Sequence, residues 1–151
     1  MAELSRMSVA EQIGAADPAA SGAGVTVQLV DPGVLRYVTG AALAPNTRDG
    51  NMLWLAPDRA LQIGGAAPAG FVSDVTDGLA TFAISGPHAA DLLAMGTTLD
   101  PAALAPGRCA QTMFAGVRVV VYAQDDGFRL HAERSLAAYL LAWFAQAVNG
   151  I

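Results

Sequence analysis

The chain has 151 residues, of which 54% are hydrophobic and 14% charged, with a net charge of −5 and a single cysteine, Cys109. All eight cationic residues are arginines scattered along the chain, which excludes a phosphate-neutralising nucleic-acid surface. One cysteine excludes an internal disulfide and a cysteine-rich metal site.

This length is one domain by size. Low charge with high apolar content predicts apolar surface left over for a partner. The N-terminus has no apolar core of signal-peptide length. The longest uncharged run, Ser135 to Ile151, falls short of a bilayer span. A cytoplasmic chain without membrane contact is the expectation.

Ser8-Val9-Ala10-Glu11 fits a capping box and predicts a short helix to about Ile13. Gly14 to Gly24 reads as a flexible lead-in, so residues 1–24 form an N-terminal extension and 25–151 the domain. Val25 to Val30 alternates as a strand and stops at the turn signal Asp31-Pro32-Gly33, before a second strand over Val34 to Thr39. After a loop from Ala44 to Asn51, Met52 to Ala56 and Ala60 to Ile63 read as a hairpin around Pro57-Asp58. Gly64 to Gly70 is a second loop.

Phe71 to Val75 and Leu79 to Ser85 flank Asp77-Gly78, a dipeptide that favours a type I′ turn. Pro87 suits the first position of a helix with Ala90, Leu93 and Ala94 on one face, and Gly96 suits its left-handed C-cap. Asp100-Pro101 starts a very short helix. Cys109 to Phe114, Val117 to Ala123 and Phe128 to Ala132 read as three strands, the last pair joined at Asp125-Asp126-Gly127. The closing helix is expected to start from Ser135 as its cap, to carry the apolar stripe Leu136, Leu140, Trp143, Phe144, Ala147 and Val148, and to stop at Gly150. Strands and helices without strict alternation predict an α+β domain: a mostly antiparallel sheet with helices packed on one face.

The search for chemistry returns few candidates. Gly64-Gly65 and Gly70 form no phosphate cradle, and Ser85 lacks the first glycine of a nucleophile elbow. His88 lies at the start of a helix, where the dipole disfavours its charged form. His131 and Glu133 share one strand face, two ligands where a metal site needs more. Asp74 reads as a structural acceptor, for Arg134 or for backbone amides, and Asp77 as a turn residue. Arg108 beside Cys109 could activate the thiolate, yet a lone thiol without a histidine is ordinarily inert. Trp54, Trp143 and Phe144 read as core, and Tyr139, off the stripe of its helix, as the first interface candidate. No catalytic, cofactor-binding or metal residue is assigned.

Several segments in order resemble the γ subunit family of heterotetrameric sarcosine oxidase. They are M-L-W-L-A-P-D-R-A-L-Q-I at 52–63, V-S-D-V-T-D-G at 72–78 and I-S-G-P-H-A-A-D-L-L-A at 84–94, then L-D-P at 99–101, Q-T at 111–112 and E-R-S at 133–135. The resemblance spans about residues 25 to 149. It implies an aminomethyltransferase-like (folate-binding-domain) fold and a non-catalytic subunit packed against the large α subunit, in a complex with β and δ. That complex oxidatively demethylates sarcosine to glycine, giving hydrogen peroxide and methylene-tetrahydrofolate. The resemblance places FAD, FMN, NAD, zinc and tetrahydrofolate on partner subunits and none in this chain. G-R-C-A-Q-T at 107–112 lacks the lysine, tyrosine and second glycine of the K-G-C-Y-x-G-Q motif of one-carbon relatives, which disfavours a transferase acting alone. A free-standing folate or one-carbon binder, and the equivalent subunit of another N-methyl-amine oxidase or demethylase, are the alternatives.

Overall fold

The computed structural model describes residues 19–22, 24–125 and 127–151. The helix expected from Ser8 lies outside them. The stretch expected as a lead-in contains a strand, β1 (Ala19–Gly22), which pairs antiparallel with β2 (Val25–Val30).

The remaining strands are β3 (Leu35–Thr39), β4 (Arg48–Asp49), β5 (Met52–Ala56), β6 (Arg59–Ile63), β7 (Val72–Asp74), β8 (Leu79–Ser85), β9 (Cys109–Phe114), β10 (Val117–Gln124) and β11 (Gly127–Glu133). Helix α1 spans Ala89–Gly96 and helix α2 Ala137–Ala147. Single 3-10 turns cover Pro101–Ala103, Arg134–Leu136 and Val148–Gly150. The first of these is capped by the Asp100 carboxylate, which accepts from the Ala102 amide at 3.0 Å.

One sheet was expected; the described residues form two. The larger runs β1-β2-β8-β11-β10-β9 and the smaller β4-β5-β6-β3-β7, with every pairing antiparallel. The cause lies in two turns. Asp31-Pro32-Gly33 bends as expected, with Gly33 at φ 80° and its amide donating to the Asp31 carboxylate at 2.8 Å. It nevertheless carries the chain from β2 in one sheet to β3 in the other. Asp77-Gly78 also changes sheets, between β7 and β8, through a turn in which the Gly78 amide donates to the Val75 carbonyl at 2.9 Å. Gly78 does not have positive φ, so the type I′ turn expected there is absent. That geometry occurs at Ala115-Gly116, φ 50° and 81°, which closes the β9–β10 hairpin between the paired residues Phe114 and Val117.

Period-2 alternation gives the larger sheet two different faces. Val27, Phe82, Ile84, Leu130, Val119, Val121 and Phe114 point to one side and are buried beneath α1 and α2. Helix α2 buries Ala137, Leu140, Phe144 and Ala147, of which Leu140, Phe144 and Ala147 belong to the stripe read from the sequence. Phe144 packs on Phe82 and Phe114 at centroid distances of 5.4 Å each, and Trp143 meets Phe114 edge-on at 5.0 Å.

Helix α1 departs from its reading at both ends. It begins at Ala89 with His88 as N-cap, not at Pro87, and buries Ala89, Leu92 and Leu93 while Ala90 and Ala94 stay exposed. Gly96 is its last residue, without positive φ, and is followed by extended Thr97. A Cβ on Gly96 would overlap the ring of Phe114, so close approach explains this glycine better than a left-handed cap. No helix among the described residues is long and apolar enough to cross a membrane.

Candidate functional site: the crevice between the sheets

The other face of the larger sheet presents Leu79, Val120, Tyr122 and Cys109 to Leu35, Leu53 and Leu61 of the smaller one. Apolar contact closes the two sheets at the Cys109 end. Towards Tyr37 and Glu133 they part, leaving a crevice of roughly 430 Å³, within the range of small-molecule pockets. Its walls are Leu55, Leu61, Leu79 and Val120, with Arg59, Gln111, Arg118 and Glu133 at the rim. A second hollow of roughly 620 Å³ adjoins it, sharing Tyr37, Leu79 and Glu133.

His131 lies in this crevice and is 1% exposed. Strand β11 runs between β8 and β10, so its register sets His131 opposite Thr81 on one side and Val120 on the other. Nδ1 is 2.8 Å from the Thr81 hydroxyl, and the ring stacks on Tyr122 at 5.7 Å between centroids. Nε2 is buried without a hydrogen-bond partner among the described residues, an uncommon condition for a buried polar atom. Burial, reinforced by the nearby Arg129 guanidinium, pushes the imidazole pKa down to about 4, so the ring is neutral at physiological pH.

His131 and Glu133 do share a strand face and the same crevice, as alternation predicts, but His131 is sealed in while Glu133 is exposed. Among the described residues no group of three or more His, Cys, Asp or Glu side chains could hold a metal ion. Sequence reasoning missed Arg59 and Arg118, which come from different sheets and meet at the crevice only through the fold. Neither has an ion-pair partner among the described residues.

The other sequence candidates lie elsewhere. His88 contacts Asp91 at 2.7 Å on the surface. Asp74 accepts from the backbone amide of Thr76 at 3.0 Å and from its hydroxyl at 2.6 Å, and Asp77 lies 3.9 Å from Arg134. Cys109 is buried, its Sγ donating to the Thr47 carbonyl at 3.3 Å. Burial pushes its thiol pKa up and outweighs the neighbouring Arg108 and Arg48, so activation by Arg108 does not occur. Arg48 instead lies over the Tyr122 ring at 4.6 Å. Large apolar side chains exposed to solvent include Phe71, Met95, Met113 and Tyr139.

The architecture is that of an α+β domain with two antiparallel sheets, one faced by helices. A chain of heterotetrameric sarcosine oxidase from Corynebacterium sp. U-96, solved in complex with pyrrole 2-carboxylate, has a similar structure: TM-score 0.79, 22% identity, covering 95% of this chain and 94% of that one. No family model and no curated protein matches the sequence.

Proposed function

We propose that this chain is the γ subunit of a heterotetrameric sarcosine-oxidase-type flavoenzyme, a non-catalytic subunit that packs against the large α subunit. The observation that carries this reading is the end-to-end likeness, 95% of one chain against 94% of the other. Two chains matched so fully are of nearly equal length, so the likeness is to a chain of about this size in that complex and not to one part of a larger chain. The exposed apolar side chains of Phe71, Met95, Met113 and Tyr139 supply surface that a partner would cover.

In this reading FAD, FMN, NAD, zinc and tetrahydrofolate sit on the partner subunits, which oxidatively demethylate sarcosine to glycine. The fold belongs with the aminomethyltransferase-like domains, and this chain contributes structure to the complex. No redox step is assigned to its residues.

Co-purification of the tagged chain from its own host, with a visible spectrum of the eluate, tests the reading. The expected result is a yellow complex containing a large flavoprotein that turns over sarcosine. A colourless chain recovered alone from cells expressing that flavoprotein would overturn it.

A further inference from the structure

The crevice between the sheets combines three features that separately have ordinary explanations. Its walls are apolar, formed by Leu55, Leu61 and Leu79. Its rim carries Arg59 and Arg118, neither of them ion-paired among the described residues, and one carboxylate, Glu133. That rim is net positive on a chain of net charge −5. Its interior contains a buried imidazole with one nitrogen engaged by Thr81 and the other without a partner among the described residues.

A buried polar atom left unpaired costs free energy that a bound group can recover. Guanidinium groups favour carboxylates because two N–H donors match two oxygens. The geometry points to this crevice as a binding site for a small organic carboxylate, its anionic end held by Arg59 and Arg118 and its apolar body between the sheets. A polar group at the far end of that body then pairs with Nε2 of His131. That nitrogen exposes less than 1 Å², so a side chain beside it moves when the site fills. The inference does not depend on the subunit assignment, because it concerns the folded chain alone.

The probe is 4-hydroxybenzoate, titrated into the full chain and followed by nitrogen-15 NMR of the backbone and of the His131 ring. Saturable shifts are expected at Val120, His131 and the ring Nε2. Benzoate, without the hydroxyl, and 4-hydroxybenzamide, without the charge, should each bind about tenfold more weakly. The double variant Arg59→Gln/Arg118→Gln changes two exposed side chains and should lose a similar factor for 4-hydroxybenzoate. Absence of saturable shifts at these positions overturns the proposal. So does equal binding of the uncharged amide, a comparison made on the native chain that stands whether or not the variant folds.

Discussion

The hydroxyl of Tyr139 donates to the carbonyl of Ala115 at 2.7 Å, tying helix α2 to the hairpin between β9 and β10. Ala115 has φ 50°, a left-handed conformation that a non-glycine residue adopts at a cost of roughly 1–2 kcal/mol. Its amide is also held, donating to the Gly96 carbonyl at 2.8 Å. Contacts from α1 and α2 therefore pin a strained residue from both sides. Tyr139→Phe keeps the ring and removes the donor; it should lower stability by about 0.5–1 kcal/mol, because the bond lies partly in solvent. Urea unfolding reads this as a lower midpoint with an unchanged slope, and an unchanged midpoint would show that the bond contributes nothing.

Histidine 131 makes stability depend on pH. Its folded pKa of about 4 lies below the ordinary value of 6.5, so between those values the unfolded chain binds a proton that the folded chain does not. Stability is therefore complete above about pH 6.5 and falls as pH drops towards 4, by about 3 kcal/mol at the full extent of the shift. Replacing His131 by Gln removes the titrating group and should flatten this slope. If the native protein and the variant show the same slope between pH 6.5 and 4, the imidazole is not the cause.

Gly96 is needed for space. A Cβ there would overlap the Phe114 ring, which is fully buried against Trp143 and Phe144. Gly96→Ala should destabilise by about 1–3 kcal/mol through overpacking, although alanine has the higher helix propensity. A left-handed cap would also penalise alanine, so the double variant Gly96→Ala/Phe114→Leu separates the causes. Partial rescue is expected where crowding is responsible, and the absence of rescue would count against it.

These relationships mark where local signals stop. The hairpins of β9, β10 and β11 and the buried stripe of α2 were legible because alternation and helical spacing are local patterns. The sheet exchange was not. Asp31-Pro32-Gly33 and Asp77-Gly78 specify a change of direction, while long-range packing of Leu35 and Leu79 decides which sheet receives the next strand. Ala115-Gly116 was missed as the type I′ turn because alanine carries no signal for positive φ. The crevice was invisible for the same reason: Arg59 and Arg118 are separated in sequence and converge only when two sheets face each other. His131 could be placed on a strand face with Glu133, but its burial depends on the strands on both sides.

Cys109 tests the closed end of the sheet interface. Its Sγ lies 3.3 Å from the Thr47 carbonyl and 3.7 Å from that of Trp54, both on the smaller sheet's side, so reagent reaches it only when the sheets separate. Burial raises its pKa above 9.0, which keeps the folded thiol protonated at pH values where the unfolded one ionises. Stability is therefore complete below the unfolded thiol pKa and declines as pH rises through it. Labelling of the native chain by a thiol reagent at pH 8 should be at least about a hundredfold slower than labelling in denaturant, because it waits on local opening. Opening that exposes Cys109 should also break the Arg48 contact with Tyr122, so low denaturant should accelerate labelling and release Tyr122 together. Rapid labelling of the native chain would mean that this end of the interface is open, and the two-sheet packing would need revision there.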